Sequence, residues 1–487
     1  MREVPNRIRY PECVKAPSTC YSDYDFMSQV FDSVSQSAHQ SRQKSESVPR
    51  PKSGKWEIGP TNVSGGDVSV SALQQKLLDR LSTLKHGSVC VYQGEHEFQL
   101  GEPTSEGELS ANVLVSDSAF YRRVLAGGTM GSAESYMDGQ WSCSDLTSLI
   151  RIMIRNIDQV SAMNKAASWV RNAIWKLKHA ARKNSVNGSK RNIVEHYDLG
   201  NDFYKLFLDP TMNYSSGIFD PQVANAKFPT AEDSLHAASL TKMDRICQKL
   251  NLQPGDEVLE IGTGWGAMAV HMASHYDCNV TTTTISEEQY RLACERVEVA
   301  QMQHRITVLK QDYRELTGQF DKIVSIEMVE AVGHKYMNGF FAKCSSLLRD
   351  HGEMCLQAIT MSPQNWKAYI RSVDFIRAYV FPGGCLPTVG SLHSAAAEAT
   401  DMRMLHAEDM TPHYATTLNH WKRKFLAQLD DVRALGYDEQ LIRLWNFYLS
   451  YCEAAFEERR VHCVQVMFGK PKSRVDVSTS MVASSVS

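Results

Sequence analysis

Between residues 235 and 360 strand-like and helix-like segments alternate, with a glycine-rich loop at the first crossover. DEVLEIG reads as a strand ending at Gly262, and GAMAVHMASHY as the helix after it. NVTTTTIS and EEQYRLACERVEVAQM repeat the pair, and RITVLKQD, FDKIVSIEM and GEMCLQAIT continue the series. Strands alternating with amphipathic helices specify βαβ units in an open, mostly parallel sheet. The expected fold class is therefore α/β, a doubly wound nucleotide-type domain.

The 487 residues allow two to four units at roughly 100–200 residues per domain. Residues 1–65 are rich in Ser, Gln, Pro and Lys and read as a disordered arm, as does the tail 471–487. Residues 66–160 read as a small α+β domain. It has a helix in SALQQKLLDRLSTL, strands in SVCVYQ and SANVLVSD, a break at Gly127–Gly128 and a turn at Gly139. Between Asp158 and Glu195 there is no acid but eight basic residues, with Trp169, Ala173, Ile174 and Leu177 at helical spacing. Residues 161–192 thus read as a basic amphipathic linker helix suited to an anionic lipid surface, or packed on the protein itself. After GEMCLQAIT, a mostly helical, aromatic insertion spans 362–460 before the strand-like VHCVQVMFG. It could roof a long apolar substrate or act as a buttress.

A net charge of −3 gives no global field toward nucleic acid, and none is expected as a partner. Twelve cysteines without a CxxC pair, and histidines without ligand spacing, suggest neither a disulfide scaffold nor a metal site. The start lacks an apolar signal segment, and no run of about 18 apolar residues exists. The expected location is cytoplasmic, with peripheral attachment to a membrane.

The motif with most chemical content is Glu260-Ile-Gly262-Thr-Gly264-Trp-Gly266. Glycines between a strand and a helix let backbone approach a ligand closely. The acid before the first Gly, and spacing other than GxGxxG, argue against a dinucleotide. The loop resembles the cofactor loop of S-adenosylmethionine-dependent methyltransferases. The next strand ends without an acid, so Thr283, Thr284 and Gln289 are candidates for the ribose hydroxyls, with Asp312 for the adenine. Ser286 with Gln289 also reads as a capping box.

HYDLGNDFYKLFLDPTMNYSSGIF, VLEIGTGWG, TISEEQ, QDYRE, EMVEAVG and FPGGCLP occur in that order over about 190–470. Together they resemble the cyclopropane-fatty-acyl-phospholipid synthase family, and FYRRVLAGGTMGSAESYMDGQW resembles the N-terminal domain of its longer members. The resemblance implies a Rossmann-like class I methyltransferase sheet over 193–470, a helical lid over 362–460 and a preceding small α+β domain. It implies transfer of a methylene from S-adenosylmethionine to a cis double bond of a phospholipid acyl chain through a carbocation. The implied partner is a phospholipid bilayer surface. Tyr214, Ser215, Glu260, the Gly262–Gly266 loop, Thr283, Thr284, Gln289 and Asp312 are the carried-over cofactor contacts.

In that family a bicarbonate held by Cys, Glu, His and Tyr positions is the expected base. Here Glu330 and Tyr414 match, while Ser216 replaces the Cys and Gln357 the His, removing a titratable group. Glu327 stands where many relatives have Gly, so Glu327 or Glu330 becomes a candidate proton acceptor or cation stabiliser. Cys452 matches a position described as active-site, although alkene alkylation needs no thiolate and a buried Cys more often packs. Three functions remain in competition: a cyclopropane synthase, a sister enzyme leaving a methylene- or methyl-branched chain, and a non-catalytic lipid-binding relative. An RNA methyltransferase is disfavoured, since no N/D-P-P-Y-type loop is present. Oligomeric state, a homodimer included, stays open.

Overall fold

The computed structural model describes residues 56–59, 71–101, 109–157, 199–219 and 233–476. The expected arm before Trp56, the basic linker helix of 161–192, the His196–Asp198 start of the aromatic motif and the tail from 477 lie outside the described residues.

The N-terminal part pairs β1 (Ser88–Gln93), β2 (His96–Leu100), β3 (Ser110–Val115) and β4 (Trp141–Cys143) in the order β2-β1-β3-β4. Helices α1 (Ala72–Leu81), α2 (Ala119–Met137) and α3 (Leu146–Arg155) accompany them. Ser71 and Asp145 cap α1 and α3, their side-chain oxygens accepting backbone N–H groups that would otherwise lack partners. Gly128, at φ 52°, breaks α2 where a break is expected, and Gly139 turns the chain into β4.

The main sheet contains β5 (Glu257–Ile261), β6 (Asn279–Thr284), β7 (Ile306–Lys310), β8 (Phe320–Ile326), β9 (Leu348–Met361), β10 (Arg403–Asp409) and β11 (Val461–Gly469). Its order is β10-β11-β9-β8-β5-β6-β7. Strands β5 to β9 pair in parallel, and β11 runs antiparallel to both β9 and β10. Along β5, Val258 packs with Met268 and Met272 on one side, and Leu259 and Ile261 pack with Phe340 and Phe341 on the other. Both faces are apolar because helices cover both. After the short α4 (Gly200–Lys205), which packs with the N-terminal part and the insertion, they include α5 (Asp233–Lys249), α6 (Ala267–Tyr276), α7 (Glu287–Val299) and α8 (Met337–Leu347). From β5 the chain runs outward to β7, then returns to β8 on β5's other side. That switch point opens a crevice beyond the strands' carboxyl ends.

The insertion is not wholly helical. It supplies α9 (Pro363–Tyr369), α10 (Val389–Ala399), α11 (Thr411–Ala427), α12 (Leu429–Ala434) and α13 (Glu439–Glu457), but also β10, the edge strand. The edge location explains why β10 was not legible: its residues alternate between exposed and half-buried, without an apolar run.

The N-terminal part shares a core with the insertion, uniting Tyr121, Tyr136 and Ile152 with Trp421, Trp445 and Phe456. Buried Lys422 bonds Glu453 (2.8 Å) and Thr147 (2.5 Å) across the junction. Trp56–Gly59 depart from the arm reading: Ile58 is buried, Glu57 N–H donates to the Cys143 carbonyl, and the Glu57 carboxylate receives Asn446. The tail also begins later than composition indicates, since buried Ser473 donates to Glu353.

Candidate active site

The loop after β5 is shaped by its glycines. Gly262, Gly264 and Gly266 have φ of 102°, 51° and 90°, the left-handed region that side chains disfavour. A Cβ on Gly266 would meet Ala293 Cα at 3.0 Å, so α7 presses directly on this turn. The N–H groups of Gly262 and Thr263 both donate to the Thr283 carbonyl, tying the loop to the end of β6. Beside it, buried Glu260 accepts from Thr282 Oγ1 at 2.6 Å, and burial pushes its carboxyl up to about 8 against that bond and the Lys242 charge.

At the end of β6, Thr284 Oγ1 donates to Gln289 Oε1 (2.8 Å), and Ser286 Oγ accepts the Gln289 N–H. Only half of the expected capping box forms, because the Gln289 side chain turns to Thr284. Asp312 accepts from Arg314 through both carboxylate oxygens, at 2.8 and 2.6 Å. Burial opposes its charge, but the guanidinium holds the carboxyl below its usual range. Tyr214 bonds Tyr448 OH (2.8 Å), and Ser215 Oγ accepts from the wholly buried Lys242 (2.9 Å). All the carried-over cofactor positions except Gly266 line one cavity of about 920 Å³, and Gly266 closes its loop from behind. Open space beside Gly264, flanking hydroxyls and buried acids fit an adenosyl donor.

The far wall centres on Glu327, just past β8. Its Oε1 accepts from Ser216 N–H (3.0 Å) and Gln357 Nε2 (2.7 Å), and its Oε2 accepts from Tyr414 OH (2.6 Å). The backbone at Glu327 is left-handed, φ 49°, an outlier of the kind that collects at functional sites. Burial raises its carboxyl, and the three donors and Lys242 pull the other way. The Ser216, Gln357 and Tyr414 positions that the resemblance assigned to bicarbonate thus converge on a protein carboxylate. The donor set does not fit a separate bicarbonate, because Glu327 already fills it.

Glu330 lies one turn on. Ile359 N–H donates to its Oε1, its buried Oε2 has no hydrogen-bond partner among the described residues, and burial with the Glu327 charge pushes it up to about 8. Its backbone carbonyl holds Cys385 of the FPGGC loop. Cys452 is half-buried on α13, with its thiol pushed up by burial and Asp374. Tyr414 stacks on Phe456 (4.4 Å), and both face the cavity with Tyr448, Phe381 and Ile359. The cavity continues past α13 to Phe120, Val124, Leu149 and Met153 of the N-terminal part.

Sequence reasoning missed Lys242, since a lysine on a helix reads as solvated, and nothing local marks one that meets Ser215 and Asn213 in the interior. It also missed Cys463, which lies 3.8 Å from Glu327.

Comparison with known proteins places this geometry. Residues 184–466 match the family profile described as mycolic acid cyclopropane synthetase. The tuberculostearic acid methyltransferase UfaA1 of Mycobacterium tuberculosis is 37% identical over 339 residues, 69% of this chain and 78% of that protein. The cyclopropane-fatty-acyl-phospholipid synthase of Escherichia coli K12 is 35% identical over 367 residues, 75% of this chain and 89% of that protein. Among solved structures, mycolic acid cyclopropane synthase CmaA1 complexed with SAH and CTAB matches with a TM-score of 0.52 and 29% identity, over 58% of this chain and 98% of that one.

Proposed function

This chain belongs to the mycolic acid cyclopropane synthetase family and is an S-adenosylmethionine-dependent methyltransferase, and from that premise we propose that it builds cyclopropane rings on cis-unsaturated phospholipid acyl chains taken from a bilayer surface. The observation that carries this reading is the Glu327 carboxylate, held by three donors at the wall of an aromatic, largely apolar cavity.

When bound, S-adenosylmethionine would supply an electrophilic methyl carbon, the S–CH3 bond breaking with its electron pair kept by sulfur so that S-adenosylhomocysteine is the leaving group. The residues proposed to hold it are the Gly262–Gly266 loop, Glu260, Thr283, Thr284, Gln289, Asp312, Tyr214 and Ser215. An isolated alkene is a poor nucleophile, so the cavity must hold it close and exclude water. As the double bond's electron pair forms the new carbon–carbon bond, positive charge develops on the acyl chain. The ring faces of Tyr414, Phe456 and Tyr448 and the Glu327 anion favour that charge. Glu327 then accepts a proton from the newly attached carbon, and the released C–H electron pair closes the ring. The apolar run into the N-terminal part supports a long acyl tail as substrate.

A second reading, a methyl- or methylene-branched product, draws on the 37% identity to UfaA1, which is named as a methyltransferase. Purified protein, S-adenosylmethionine and unsaturated phospholipid vesicles test both, with the fatty acids derivatised before mass spectrometry to separate rings from branches. Rings support the first reading and branches the second, and unaltered acyl chains defeat both.

A further inference from the structure

Two buried lysines sit seven residues apart on α5, hence on one face of that helix. Lys242 serves Ser215. Lys249, the last residue of α5 and equally inaccessible to solvent, reaches β11 and the edge strand β10. Its Nζ donates to Gln465 Oε1 at 2.5 Å and pairs with Glu408 at 2.5 Å. Gln465 Nε2 donates to Gln357 Oε1 at 2.9 Å, and Gln357 Nε2 donates to Glu327 Oε1 at 2.7 Å. Strand register aligns this row: Glu408 of β10 faces Gln465 of β11, Gln465 faces Gln357 of β9, and Gln357 faces Ile326 of β8, the residue before Glu327.

The chemistry of the groups fixes the polarity of the row. An ammonium donates and cannot accept, so Gln465 must turn its oxygen to Lys249. Its NH2 then faces Gln357, which must offer its own oxygen and point its NH2 at Glu327. An ionised Glu327 demands that arrangement by itself; with Glu327 protonated, only the long 3.4 Å contact of the Gln357 NH2 with the Ser216 carbonyl opposes the reversed amide at that end. We propose that Lys249 is a positioning residue that, through Gln465, locks the Gln357 amide with its NH2 toward Glu327 in both protonation states. This rests on the reading of Glu327 as the working carboxylate. The lock substitutes for the titratable group absent at position 357 by keeping a donor permanently on the anion, which favours the ionised form. Other groups facing Glu327 are Tyr414 from α11, Cys463 from β11, Lys242 from α5, Tyr448 from α13 and Glu330 from its own turn. Those facing Lys249 besides Glu408 are His406 from β10 and Cys355 from β9.

The test titrates Glu327 directly, by difference infrared spectroscopy of its carboxyl band, assigned by its loss in Glu327→Gln. Gln465→Glu keeps the partner of Lys249 but takes the donor away from Gln357, while Lys249→Met removes the anchor and Lys249→Arg preserves it. The expected result is a Glu327 midpoint higher by about 1 pH unit in Gln465→Glu and Lys249→Met. The acid limb of the kcat profile should move with it, at unchanged KM for S-adenosylmethionine, and Lys249→Arg should sit close to wild type. A midpoint that stays at the wild-type value in folded Gln465→Glu overturns the proposal, whether or not Lys249→Met folds. A midpoint that moves while the kcat profile stays still upholds the lock and instead defeats the assignment of Glu327 as proton acceptor.

Discussion

At the donor end of the cavity the binding surface is organised by main chain, with side chains placed around it. Three glycines within five residues bend one loop, and two of its N–H groups hang on a single carbonyl of β6. At the acceptor end the surface is mostly side chain, gathered from residues 327, 357, 414 and 463 on separate elements and joined by the Ser216 N–H. The difference bears on how each end can change. A main-chain site requires glycine where φ is positive and tolerates variation elsewhere. A side-chain site can be rewired while its geometry persists: Ser216 contributes a backbone N–H that any residue could supply, Gln357 donates where a histidine would, and Glu327 brings the anion in covalently. The two ends should therefore fail independently.

The largest separation is expected at Glu327. Glu327→Gln keeps the shape but cannot accept the proton, so kcat should fall by about 10²- to 10⁴-fold, while calorimetric affinity for S-adenosylmethionine stays at the wild-type value. Loss of donor affinity would show that the two ends are one site. Glu327→Gly sharpens the point: it vacates three donors, relaxes the left-handed backbone, and should regain turnover as bicarbonate is added, saturably, where wild type does not respond.

Gly266→Ala makes the opposite cut. Its φ of 90° and the Ala293 backbone at 3.0 Å leave no room for a methyl group without moving α7. Affinity for S-adenosylmethionine should weaken about tenfold, equivalent to roughly 1.4 kcal/mol, with kcat at saturating donor nearly intact. A kcat effect without an affinity effect would break the comparison.

The same contrast explains what could be read from the sequence. The Gly262–Gly266 loop and the βαβ alternation are local: spacing and periodicity state them outright, and the parallel core of the sheet follows. Ser216, Glu327, Gln357 and Tyr414 were individually visible through the family resemblance, but nothing in spacing says that the first, third and fourth converge on the second. Lys242 was invisible because the partners that receive it in the interior, Asn213 and Ser215, lie in a loop well before its helix. Trp56–Gly59 were misread because composition averages over a window, whereas Glu57 and Ile58 are held by individual contacts with Cys143, Asn446 and the core.

Glu330 offers a smaller test, of stability. Its carboxyl is raised to about 8 in the folded protein, by burial first and then by the Glu327 charge. The folded state therefore binds this proton more tightly than the unfolded state, and the resulting stability is present below the unfolded value near 4.5 and lost as pH rises through about 8. Wild type should lose about 1 kcal/mol or more between pH 5 and 9 that Glu330→Gln does not lose. Glu260, raised to a similar value, remains in both proteins, so the difference in urea midpoints isolates Glu330. Parallel curves would mean that its unpaired Oε2 is solvated.

The smallest effect belongs to Cys452. It lines the cavity from α13, and a nucleophilic role would require a thiolate. Burial and the nearby Asp374 charge both press the thiol toward its neutral form, and a half-buried position on an apolar helix suits packing. The proposed chemistry gives it nothing to attack, since the electrophile is the methyl carbon and the alkene supplies the electron pair. Cys452→Ala should accordingly keep kcat within about twofold, the loss expected from slightly looser packing beside the acyl chain rather than from a missing nucleophile. A loss as large as that of Glu327→Gln would bring the thiol and Asp374, besides the Glu327 cluster, into the reacting surface.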